Sequence, residues 1–90
     1  MMLSFSAHFN RRLRQRGLRN DVLSFILEFG EVKSSRKATW LVVTKRSLPE
    51  NVKGSSLALR ASQWLLLVDD GVLVTCYRCD SPVRNLNRSH

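Results

Sequence analysis

The chain has 90 residues, enough for one domain and too few for a second core. Hydrophobic residues make up 43%, which excludes a disordered chain, and no apolar run approaches the roughly 20 residues of a membrane span. A formal charge of +8 points to a polyanionic partner: nucleic acid first, an acidic protein second, an anionic membrane surface third.

In chain order, Ser4 or Ser6 can cap a helix over roughly residues 7 to 16. Gly17 then suits the left-handed residue beyond its end, and Leu13 with Leu18 supplies the hydrophobic pair that accompanies a Schellman turn. Asn20 is the expected cap of a second helix, with Asp21 in the first turn, where the helix dipole favours an anion. Val22, Phe25, Ile26 and Phe29 recur at helical spacing, Leu23 and Leu27 widen that stripe, and Gly30 ends it. "ATWLVVT" (38–44), "WLLLV" (64–68) and "VLVTCYR" (72–78) read as strands. The Asp-Gly pair in "DDG" favours a type I′ turn, which makes the last two an antiparallel hairpin. Residues 46 to 63 read as a loop with room for one short helix, and "SPVRNLNRSH" as a polar tail. The expected fold is α+β: an N-terminal helical hairpin packed on a small antiparallel sheet, one domain over 1–90 with its core at about 4–79.

Charge is unevenly placed. Arg11, Arg12, Arg14, Arg16 and Arg19 all precede the first acidic residue, Asp21; Lys33, Arg36, Lys37, Lys45 and Arg46 form a second group. Only Lys53, Arg60, Arg78, Arg84 and Arg88 follow. The N-terminal half is therefore the electrostatic working end, the plainer alternative being a solubilising surface.

"HFNRRLRQRG" (8–17) carries the most chemistry. His8, Arg12 and Arg16 are four apart, so on a helix they span a narrow arc beside the one that holds Phe9 and Leu13. A basic stripe bordering a packing face lies at the rim of a core, where a cleft would form. The helix dipole and the arginines both disfavour an imidazolium at His8, which predicts a neutral ring at pH 7. Such a ring can accept the proton of a ribose 2′-hydroxyl while guanidiniums hold the phosphate. The alternative is a surface histidine beside a solvated stripe.

Strict alternation in the last strand puts Val72, Val74, Cys76 and Arg78 on one face and Leu73, Thr75, Tyr77 and Cys79 on the other. Thr75 and Tyr77 could bring two hydroxyls beside the first helix, though both are ordinary strand formers. Lys45 and Arg46 follow Thr44 at the end of a strand, a common place for substrate contacts and equally for a guard against edge pairing. Trp40 and Trp64 sit in apolar runs and are expected to pack in the core or at its rim rather than stack on bases.

Cys76 and Cys79 form a C-x2-C spacing at the end of a strand, with side chains on opposite faces, not at the helix N-terminus that thiol-disulfide chemistry needs. Too few further ligands remain for zinc, so no metal and no cofactor is expected. The start "MMLSFSAHFN" has no charged n-region and no long apolar h-region, so no secretion signal is expected, and a reducing cytoplasm is the simplest compartment. There is no Walker loop, no G-x-G-x-x-G and no G-x-S-x-G.

Taken together, "HFNRRLRQRGL", "DVLSFILEFGEV", "ATWLVVTKRSL" and "DDGVLVTCYR" resemble the bacterial DUF4258 family, which is itself similar to the RelE-type toxins that cut mRNA. The likeness runs over roughly residues 4 to 79. Its most specific parts are His-x3-Arg-x3-Arg-Gly and the closing "DG-V-LVT-x-YR" strand. The resemblance implies a RelE-like fold and metal-independent cleavage of RNA, with His8, Arg12, Arg16, Thr75 and Tyr77 around the cleft. Arg11, Arg14, Arg19, Lys45, Arg46 and Arg78 are the candidate RNA-binding cations.

Three readings follow from the sequence. One is a toxin-like ribonuclease acting on RNA or at the ribosome. Another is a non-catalytic RNA or ribosome binder. The third is a module that docks on an acidic protein such as an antitoxin, with a homodimer also possible.

Overall fold

The computed structural model describes residues 4–35 and 37–79; the polar tail at 80–90 lies outside them. Among the described residues, three helices and five strands follow in the order β1 (Ser4–Phe5), α1 (Ala7–Gln15), α2 (Asn20–Phe29), β2 (Glu31–Ser35), β3 (Ala38–Val42), α3 (Ser56–Ala61), β4 (Trp64–Asp69) and β5 (Val72–Arg78). The strands make one sheet in the order β1-β5-β4-β3-β2.

The helix ends obey local chemistry. Ser6, extended at φ −74° and ψ 159°, caps α1 by accepting a hydrogen bond from the Phe9 N–H at 2.9 Å. At the other end the Leu18 N–H donates to the Leu13 carbonyl at 2.8 Å and the Gly17 N–H to that of Arg14 at 3.4 Å. With Gly17 at φ +76°, this is the expected Schellman turn. The start of α2 differs from expectation: Arg19 occupies the cap without a side-chain bond, and Asn20 is already helical. Gly30 does end that helix, but not by left-handed backbone. A Cβ there would lie 2.5 Å from the Ile26 carbonyl oxygen and 3.2 Å from Leu41 Cδ1, so the reason for glycine is space.

The sheet also departs from the all-antiparallel expectation. β1 pairs in parallel with β5, Ser4 opposite Val72 and Phe5 opposite Leu73, which makes the sheet mixed. β2, absent from the sequence reading, forms an antiparallel hairpin with β3, with Lys33 opposite Trp40. β3 stops at Val42, two residues earlier than expected. The loop after it does hold one short helix, α3, capped by the Ser55 hydroxyl. Asp70 and Gly71 both have positive φ, 51° and 75°, as a type I′ turn between β4 and β5 requires.

Expected face assignments in β5 are altered by a bulge. Leu67 pairs with Thr75, but the next residue, Val68, pairs with Leu73, which leaves Val74 as the extra residue. Leu73 and Cys76 therefore share the helix-covered face, both fully buried, and Thr75 and Tyr77 share the other. On the helix side Phe9, Ile26, Leu41, Leu66, Leu73 and Cys76 belong to the main core. On the opposite side Val42 and Leu65 form a second small cluster under Trp40. Burial on both faces is why "WLVV" and "WLLLV" read as unbroken apolar runs rather than alternating ones. α1 lies against β5, whereas α2 packs on α3 and β3.

Ser6 holds two elements at once, because its hydroxyl also donates to the Val74 carbonyl in the bulge at 3.3 Å. Ser6→Ala is expected to lower unfolding free energy by about 1–2 kcal/mol, measured by urea denaturation. An unchanged midpoint would show that the joint is held by packing alone.

Candidate nucleic-acid interface

The register places α1 beside the free stretch of β5. β1 ends opposite Leu73, the Ser6 N–H donates to the Leu73 carbonyl, and the helix starts at the next residue. Phe9, with no exposed surface, and the partly buried Leu13 pin one arc of the helix to the core. The neighbouring arc then carries His8, Arg12 and Arg16 along the rim of the sheet.

Two contacts organise that stripe. The Arg12 Nε–H donates to His8 Nε2 at 3.3 Å, so this ring nitrogen faces the guanidinium as an acceptor. Two turns from His8, about 12 Å along the axis, the Arg16 guanidinium lies 5.4 Å from the centre of the Tyr77 ring. A cation–π contact of this kind contributes about 0.5–1 kcal/mol at an exposed site. His8, Arg11, Arg12 and Gln15 line a shallow depression of about 400 Å³ at the N-terminal end of the stripe.

The remaining candidate residues fall around this line unevenly. Tyr77 is exposed on the sheet face away from the core helices and meets Trp40 with ring centres 6.1 Å apart. Thr75, on the same face, is only 5% exposed, so its hydroxyl is not offered to a chain lying on the surface. Arg14 and Arg19 line a cleft on the far flank of α1 together with Asn10, Asn20 and Asp21, and Arg19 pairs with Asp21 at 3.7 Å. Arg78 pairs with Trp64 and so leaves the sheet on the core side, opposite to Tyr77. The expected set of cations is thus divided between two flanks of α1 and two faces of the sheet.

Lys45 and Arg46 sit at the tip of a turn closed by Thr44 and Ser47. The Thr44 N–H donates to Ser47 Oγ and the Ser47 N–H to Thr44 Oγ1, both at 3.1 Å. Arg46 reaches back to Glu31 at 3.6 Å, and Lys33 approaches the same carboxylate oxygen at 3.6 Å. Lys33 lies opposite Trp40 in the register, so these cations border the face that bears Trp40 and Tyr77. Lys33 belongs to the second cationic group of the sequence, but its place opposite Trp40 depends on β2, which the sequence does not announce. Trp64 is in the core as expected, whereas Trp40 is half-buried on the face that shows Tyr77.

Among the described residues no helix is long and apolar enough to cross a membrane, and no three His, Cys, Asp or Glu side chains gather as a metal site. Comparison with family models, curated proteins and solved structures finds no match to this chain.

Cys76 lies under the stripe. Burial pushes its thiol above the ordinary value, and the positive charges of Arg16 and then Arg12 pull weakly the other way. The folded chain therefore keeps this proton at a pH where the unfolded chain has lost it. The resulting stability is full below the ordinary thiol value of 9.0 and declines as the pH climbs above it toward the raised one. Urea midpoints followed across that range should fall more steeply for the wild type than for Cys76→Ala. Equal slopes would mean that the thiol is hydrated in the fold.

Proposed function

We propose that the protein is a RelE-like, metal-independent endoribonuclease of the cytoplasm, with its substrate strand laid along α1 and the adjoining rim of the sheet. The observation that carries this reading is the line from the His8 acceptor nitrogen through Arg12 to Arg16 on the ring of Tyr77. An acceptor nitrogen next to fixed guanidiniums is the minimum equipment for in-line attack by a 2′-oxygen.

In this reaction the 2′-hydroxyl takes the place of Arg12 at His8 Nε2 and gives up its proton there. Its oxygen bonds to phosphorus as the bond to the 5′-oxygen breaks, and that oxygen takes a proton from water. The products are a 2′,3′-cyclic phosphate and a free 5′-hydroxyl. Arg12, released from the ring, neutralises the phosphate. Arg16 and Tyr77, two turns further on, hold a neighbouring nucleotide rather than the scissile one. Arg11 adds charge at the His8 end.

Mixed-sequence RNA incubated with the protein in a chelating buffer should yield fragments ending in cyclic phosphate. His8→Ala should slow the reaction roughly 10²–10⁴-fold, and Arg12→Ala should slow it as well. Intact RNA with the wild type, or equal cleavage by both variants, would overturn the proposal.

A second reading, an RNA or ribosome binder without turnover, is favoured by two features. The Thr75 hydroxyl is buried and the His8 acceptor is already engaged, so the resting site is suited to holding phosphate rather than cutting it. Single-turnover incubation with protein in excess separates the two, since only an enzyme then converts bound RNA.

A further inference from the structure

On the face of the sheet away from the core helices, Trp40 and Tyr77 meet at 6.1 Å with planes tilted by 56°. Cations stand around them: Arg16 over the Tyr77 ring, and Lys33 in register beside Trp40. Arg46 is tied to Lys33 through the Glu31 carboxylate. Tyr77 is 39% exposed, so part of its ring is open to solvent. Val42 and Leu65, both buried, form a firm apolar floor under Trp40, so the pair is held in place rather than loose on the surface.

From this juxtaposition we infer that the Trp40–Tyr77 pair is a base-stacking subsite for single-stranded RNA, with Arg16 and Lys33 taking the flanking phosphates. The inference deepens the RNA-directed reading above and rests on it. Aromatic rings beside guanidinium and ammonium groups offer stacking to a base and charge to its backbone, which is the combination that single strands use. A duplex hides its base faces and can use only the charge. An acidic peptide likewise uses only the charge, since it has no base to stack. The subsite therefore makes the protein selective for unpaired RNA without reading its sequence.

The test is binding of a fluorescent 2′-O-methyl oligonucleotide, which lacks the attacking hydroxyl, so that affinity is read without cleavage. Trp40→Leu and Tyr77→Leu should each weaken binding roughly 5- to 150-fold, the range measured for stacked bases. Trp40→Phe and Tyr77→Phe should keep most of it, which controls for damage to the fold. The leucine variants should lower affinity at every salt concentration without changing its slope, whereas Arg16→Gln should make the slope shallower by about 0.7. A duplex of equal length should bind more weakly than the single strand. If the leucine variants bind as the wild type does, or if base-free polyphosphate or an acidic peptide competes as well as RNA, the subsite does not exist. Binding with all these signatures by a protein that leaves unprotected RNA intact would end the cleavage proposal and leave this one standing.

Discussion

The arrangement depends on one hydroxyl group. Ser6 Oγ receives the Phe9 N–H and donates to the Val74 carbonyl, so one side chain both starts α1 and fastens it to the bulge of β5. Without the bulge, Leu73 and Cys76 would point to opposite faces. With it, both face Phe9 and Leu13, and the apolar arc of α1 has a surface to cover. The polar arc is then forced to the rim. The cationic line therefore follows from core packing and a cap, and no charge has to be invoked to position it.

That origin explains the local electrostatics. Arg12 and Arg16 sit close enough to Cys76 to act on it, yet burial dominates and the thiol is held neutral. The guanidiniums themselves stay hydrated, since the stripe lies beside the core rather than in it. Each finds a neighbour other than a carboxylate, His8 Nε2 for Arg12 and the Tyr77 ring for Arg16. Such partners orient a guanidinium without neutralising it, so its charge remains available to an anion. Of the acid-paired cations, Arg19 with Asp21 and Lys53 with Glu50 lie elsewhere, whereas Lys33 and Arg46 share Glu31 beside the Trp40 face.

Features written in consecutive residues were legible in advance. The Asp-Gly turn, the Gly17 Schellman end and the His8-Arg12-Arg16 stripe depend on local φ, ψ and helical period, and the structure has each where the sequence puts it. What escaped depends on pairing between strands. β1 is two residues long and exists only because β5 lies beside it. β2, "EVKSS", has little strand propensity and is a strand because β3 pairs with it. The bulge overturns strict alternation in β5, a shift that no property of "VLVTCYR" announces. Trp40 was hidden for a related reason: in a sheet buried on both sides, an apolar run does not say which side each residue takes.

The parallel pairing of β1 with β5 also bears on the order of assembly. A chain made from its N-terminus has α1 early, but the strand that receives it is the last element of the sheet to emerge. Long-range pairing of this kind is slow to close and leaves the apolar side of the first helix waiting for its seat. During synthesis, the arginine-rich segment is thus left undocked, and the surface it helps to form comes into being only once β5 has been made.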